Sequence, residues 1–177
     1  FEHNHRLFPM VDKVTFLKKL ATINSFESIE MLAVNNPELP KTFIFEIYMI
    51  MAIGCTTLQR AGKLTTDEGH LYEHLAYLAM RNFRDILHQQ DLTTLRCLIL
   101  LGIYSFFEPK GVSSWTISGI AMRLAIELGL NRPLTAKEMG DMSAVEVESR
   151  YRVFWSAYCF ERVVATSLGR VSAIDDE

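Results

Sequence analysis

The sequence predicts an all-α fold, a single compact array of about six packed antiparallel helices. Three observations predict it. Apolar and polar residues never alternate with a strict period of two, and no Asn-Gly or Asp-Gly pair separates apolar runs. Helix-start signals recur, with Thr65-x-x-Glu68, Thr135-x-x-Glu138 and Ser143-x-x-Glu146 each spaced as a capping box. Connections between the apolar segments are mostly shorter than about ten residues, which favours antiparallel neighbours.

Taken in order, Asp12 is placed to cap a helix over 12–33, and Asn35-Asn36-Pro37-Glu38-Leu39-Pro40 forms the loop that follows. The next helix, 41–60, contains the longest apolar stretch, Phe43 to Cys55. That stretch is interrupted by Glu46 and Gly54 and falls short of the ~18–20 residues of a membrane span, so a buried core helix is expected. Thr65 opens a helix over 66–89, and Asp91 caps another over 91–107. A helix over 114–128 stops at Gly129, where Leu130 and then Pro133 fit a Schellman ending. A short turn near 136–140 leads to the longest helix, 144–168, opened by Ser143 and ended at Gly169. No repeat at the spacing of common helical solenoids is present.

Composition sets limits on function. The chain has 177 residues, 49% of them hydrophobic, enough to bury roughly 70% of its unfolded surface as one domain. Its net charge of −3 provides no positive field for nucleic acid, so this segment is not expected to touch DNA. Cys55, Cys97 and Cys159 are too scattered for a zinc cluster or disulfide framework and read as small buried hydrophobes in a reducing compartment. The polar start Phe1-Glu2-His3-Asn4-His5 is no signal peptide. Without an initiator Met, and stopping abruptly at Glu177, the chain reads as an excised fragment.

The last long helix carries the most specific pattern. Val147, Tyr151, Phe154, Trp155, Tyr158 and Ala165 share one broad face, while Val153, Phe160 and Val164 form a second. The helix is therefore expected to be central, with Trp155 a buried keystone. Arg162 falls among the aromatic residues, and a buried guanidinium needs a carboxylate, for which Asp175, Asp176 and Glu127 are candidates. Glu146 with Arg150, and Glu148 with Arg152, are spaced as i,i+4 ion pairs.

The run Glu148-Ser149-Arg150-Tyr151-Arg152-Val153-Phe154-Trp155, then Tyr158, Glu161-Arg162, Gly169-Arg170 and Ile174-Asp175-Asp176, resembles the signature of the fungal-specific transcription factor domain. That domain is the middle homology region of zinc binuclear-cluster regulators. His5-Arg6-Leu7-Phe8-Pro9-Met10 with Thr15-Phe16-Leu17 is similar to its opening block, and Met51-Ala52-Ile53-Gly54 to a second. Ser114-Trp115, Gly119, Ala121, Arg123, Ala125 and Leu128-Gly129-Leu130-Asn131-Arg132 resemble a third. Glu161 stands where the family usually has Asp, which keeps the charge, and Val171 where it usually has Pro, which removes a rigid turn element.

The resemblance implies that residues 1–177 are a regulatory fragment of a nuclear factor acting in RNA polymerase II transcription, with no reaction of its own. It implies DNA contact only through an upstream six-cysteine zinc cluster, so zinc belongs to that cluster and no cofactor to this fragment. Implied partners are the transcription machinery or a co-regulator, a second copy in a homodimer and, in some members, a small apolar effector, with no membrane. The signature residues are expected to be mainly structural.

An alternative primary role is small-molecule sensing in a pocket near Trp115, Met122, Trp155 and Arg162. Gly119 costs about 1 kcal/mol relative to Ala in a helix interior, so a close approach, by a helix or a ligand, is expected there. A remote alternative is zinc hydrolysis at His70-Leu71-Tyr72-Glu73-His74, where two imidazoles and a carboxylate share a helix face; a solvated face is the plainer reading. His3-x-His5 lacks further ligands for a tetrahedral set.

Overall fold

A computed structural model of the chain describes residues 4–23, 31–64, 70–109 and 111–174. Among these residues there is no strand, and helical segments follow one another as α1 (Asn4–Leu7), α2 (Lys13–Ala21), α3 (Leu32–Asn35), α4 (Lys41–Arg60), α5 (Leu71–Met80), α6 (Phe83–Leu87), α7 (Leu92–Phe107), α8 (Ser114–Glu127), α9 (Ala136–Asp141) and α10 (Ala144–Leu168). The all-α expectation holds. The segments pack as two compact units, one of residues 13–90 and one of residues 1–12 with 91–177.

In the unit of residues 13–90, α4 is the core helix and packs on α3, α5 and α6. It runs for twenty residues, longer than the apolar stretch suggested, so length and composition alone would let it cross a membrane. Burial decides against that reading. Most of its apolar window is already covered by protein, and Glu46 is buried with Phe45, Tyr48 and Met49. Phe16 of α2 meets Phe43 edge to face at 5.5 Å. The helix expected over 66–89 is broken at Arg81–Asn82, and the re-aimed α6 stacks Phe83 on Phe45 and buries Ile86 completely. Lys41 and Asp85 form an ion pair that pulls the Asp85 carboxyl below its ordinary pKa. The proposed capping box at Thr65 and Glu68 lies outside the described residues.

In the other unit, α7 is buried around nearly its whole circumference, from Leu95 to Ile103, and packs on α8 and α10. The central helix is therefore α7, whereas α10 keeps one face in solvent. Local chemistry sets the helix ends. Asp91 accepts from the Thr94 amide at 2.7 Å. Both expected capping boxes form, Thr135 with Glu138 and Ser143 with Glu146. Gly129 adopts φ 65°, and the Leu130 amide reaches the Ala125 carbonyl at 3.0 Å, a Schellman ending.

The close approach in this unit is not at Gly119, which has open space around the position of a Cβ. It is at Gly102 on α7. A Cβ there would lie 2.5 Å from Cε1 of Phe160 and 3.3 Å from Cγ2 of Ile117. Phe160 is 1% exposed and also receives the edge of Phe8 at a centroid distance of 6.1 Å. The missing side chain of Gly102 is thus what lets the α10 ring sit against α7.

Candidate functional site

The end of α10 and the segment after it form an organised polar arrangement among the described residues. Gly169 takes the left-handed conformation at φ 62°, and the Arg170 amide closes back on the Ala165 carbonyl at 2.9 Å. A residue with a Cβ would be strained in that turn. The turn sends residues 170–174 back along the helix.

Glu161 meets them there. It is only 2% exposed, and a buried carboxylate is costly unless its oxygens are hydrogen-bonded. Ser172 Oγ donates to Glu161 Oε2 at 2.9 Å, and the Ala173 amide donates to Oε1 at 3.0 Å. Glu161 therefore satisfies its own charge by capturing the returning chain. Arg162, next on the helix, donates through Nη2 to the Ile174 carbonyl, and its guanidinium lies 5.0 Å from the centre of the Tyr158 ring. Of its three candidate carboxylates, Asp175 and Asp176 lie outside the described residues, and Glu127 is exposed at the end of α8. Arg170 lies over the Trp115 ring of α8 at 5.2 Å.

The aromatic face of α10 turns out differently from expectation. Trp155 is 55% exposed, so it is not a buried keystone. It meets Phe154 and Tyr158 edge to face, both at 5.4 Å, in a surface cluster of rings. The buried seam is the other face, Val153, Ser156, Ala157, Phe160, Glu161, Val164 and Ala165. The i,i+4 pair of Glu148 and Arg152 forms, with Nε 2.7 Å from Oε1. Glu146 instead accepts from Ser143, while Arg150 reaches across to the Leu128 carbonyl at the end of α8, at 3.2 Å. A cation there satisfies an orphan carbonyl at the negative end of the helix.

Of the residues expected around an effector, Trp155 and Arg162 are joined through Tyr158, and Trp115 is paired with Arg170. Met122 is 1% exposed within the core. Sequence reasoning missed Ser172 and the pairing of Arg170 with Trp115, because both depend on where the chain goes after Gly169. It also missed Gly102, although a glycine inside the apolar run of α7 is the same kind of signal as Gly119.

Elsewhere, His70 precedes α5 with a side chain 90% exposed, its Nδ1 3.5 Å from Glu73 Oε2, and His74 is exposed on the same helix. Cys55, Cys97 and Cys159 lie on three different helices; all were expected to be buried, but only Cys97 is, with Cys55 half-buried and Cys159 exposed. Among the described residues no three His, Cys, Asp or Glu side chains are gathered to hold a metal ion.

Residues 1–177 match the model of a family described as the fungal specific transcription factor domain. A Candida glabrata protein described as negative regulator of pleiotropic drug resistance STB5 is 99% identical over all 177 residues, which make up 18% of its length. Protein STB5 of Saccharomyces cerevisiae is 66% identical over the whole chain, 23% of its length. The Zn(2)-C6 fungal-type transcription factor FTF1c of Fusarium oxysporum is 33% identical over 78 residues, 41% of this chain and 8% of that protein. The chain thus spans about a fifth of the length of the first two relatives. No solved structure matches.

Proposed function

Since this chain belongs to the fungal specific transcription factor domain family, whose members are transcription regulators and not enzymes, we propose that it is the regulatory middle part of a zinc-cluster factor that negatively regulates pleiotropic drug resistance. The observation that carries this reading is the 99% identity along the whole chain to a regulator described in those words. DNA is then bound in the nucleus through a zinc cluster elsewhere in the factor. The scattered cysteines and the net charge of −3 of this chain support that division of labour. The domain's part is to restrain or license the factor through a co-regulator or the transcription machinery, in a homodimer held together elsewhere.

The test is made in the full-length factor. Removing residues 1–177 in frame should leave DNA occupancy in place and abolish negative regulation, so that resistance transcripts and tolerance to several unrelated toxic compounds both rise. Unchanged transcripts and tolerance in a stably expressed deletion protein would overturn the reading.

A small apolar effector is the second reading. The exposed ring of Trp155 and the half-buried rings of Phe154 and Tyr158 beside Arg162 support it, since such rings offer apolar area with a polar anchor. Trp115 and Met122 complete the proposed site, although an effector reaching Met122 must displace core packing. Quenching of Trp155 fluorescence by an apolar toxic compound, lost in Arg162→Ala, tests it. No quenching by any compound that elicits the transcriptional response would remove this reading.

A further inference from the structure

We propose that Ser172 is a phosphorylation site for an arginine-directed serine/threonine kinase, and that its phosphate releases residues 170–174 from α10. Four features support this. Ser172 lies half-buried in a non-helical segment just past a left-handed glycine, outside any regular element that a kinase would have to unwind. Its neighbours are open, with Val171 84% exposed. Arg170 stands two residues before it, at one of the positions that arginine-directed kinases read. Above all, its hydroxyl is committed to one group, the buried Glu161 carboxylate, 2.9 Å away.

The chemistry follows from that contact. Ser172 Oγ forms a bond to the γ-phosphorus of ATP, the bond from that phosphorus to the β–γ bridging oxygen breaks, ADP leaves, and the hydroxyl proton passes to the kinase's base. A hydroxyl that donated to Glu161 becomes a phosphate ester that only accepts, carrying a charge of about −1.5 to −2. Placed against a carboxylate with little water around it, that charge is repelled, and its own hydration is lost if the segment stays docked. The two nearby cations sit on other groups, Arg162 on the Ile174 carbonyl and the Tyr158 ring and Arg170 on the Trp115 ring, so neutralising the phosphate would draw them off these contacts. Release therefore exposes Glu161, frees the Ala173 amide and uncovers Trp115. Opening is local, because hydrogen bonds and ring contacts from side chains hold the segment, with no ladder of backbone bonds behind them.

The experiment installs phosphoserine at position 172 of the intact protein during translation and follows amide hydrogen exchange. Exchange across residues 170–174 should accelerate at least tenfold relative to the unmodified protein, with α7 unchanged, whereas Ser172→Ala should change it less than threefold because the Ala173 bond to Glu161 survives. In parallel, an arginine-directed kinase with labelled ATP should label the folded protein at Ser172, and Arg170→Ala should cut labelling at least tenfold. Unchanged or slower exchange with phosphoserine would mean that Arg162 or Arg170 grips the phosphate and tightens the segment, which overturns the release. Absence of label at Ser172 in the folded protein would overturn the site.

Discussion

Placing a methyl group at Gly102 tests how α10 is seated on α7. In the folded protein the added Cβ would lie 2.5 Å from Phe160 Cε1 and 2.8 Å from Cζ, far inside ordinary contact. The ring cannot simply swing aside, because it is 1% exposed and bounded by Phe8 on another side. Forcing an extra methyl into a packed core costs about 1–3 kcal/mol. Replacing glycine by alanine inside a helix returns about 1 kcal/mol. Gly102→Ala should therefore destabilise by a net of up to about 2 kcal/mol. Phe160→Ala should cost about 3–5 kcal/mol by itself. In the Phe160→Ala background the clash is gone and only the helix gain remains, so Gly102→Ala should change sign and stabilise by about 1 kcal/mol. The resulting coupling of about 1–3 kcal/mol lies within the range for residues in contact. Urea denaturation of the four proteins, followed by far-UV circular dichroism, measures it. If Gly102→Ala stabilises in both backgrounds equally, the ring does not press on α7 and the packing described here is wrong.

Trp155→Ala should cost no more than about 1 kcal/mol despite the size of the side chain, because much of the ring is already in water; a loss comparable to Phe160→Ala in the same denaturation series would show that the surface cluster is buried in solution. Glu161→Ala should destabilise by about 1–3 kcal/mol, since it strands the Ala173 amide, and should make the bonds after Gly169 sensitive to limited proteolysis; unchanged proteolysis would refute the latch. Hydrogen bonds from Thr135 hold Glu138, and from Ser143 hold Glu146, below the ordinary carboxyl pKa, so both caps stabilise the fold above the unfolded value and lose that contribution as pH falls through the folded one. The thermal midpoint of Glu146→Gln should accordingly fall less on acidification than that of the unsubstituted chain, and parallel curves would refute the capping role. His70→Ala should leave stability within about 0.5 kcal/mol and the purified chain should contain well under one zinc; a firmly held zinc lost on substitution would restore the hydrolase reading.

The capped helix ends were legible in the sequence because a cap is a local event, whereas the stop of the first long helix at Ala21, expected to run to residue 33, and the break of the 66–89 helix at Arg81–Asn82 were not. Ser143 and Glu146, Thr135 and Glu138, Asp91, Gly129 and Gly169 each act within four or five residues of themselves, and nothing distant changes what they can bond. The family signature was legible for a related reason, since it is a fixed order of side chains along α10 and its exit. Which face of α10 is buried was not. Two apolar faces satisfy the same helical period, and only the positions of α7 and α8 select the seam of Val153, Ala157, Phe160 and Val164 over the rings around Trp155. Gly102 and Gly119 look alike for the same reason, because a close approach needs a second helix to do the approaching. The pairing of Glu161 with Ser172 and Ala173 likewise appears only once the chain reverses at Gly169. Local chemistry therefore specified the capped starts and stops, and tertiary contact decided where long helices break and which faces they bury, since burial depends on neighbours that the period of a single helix cannot name.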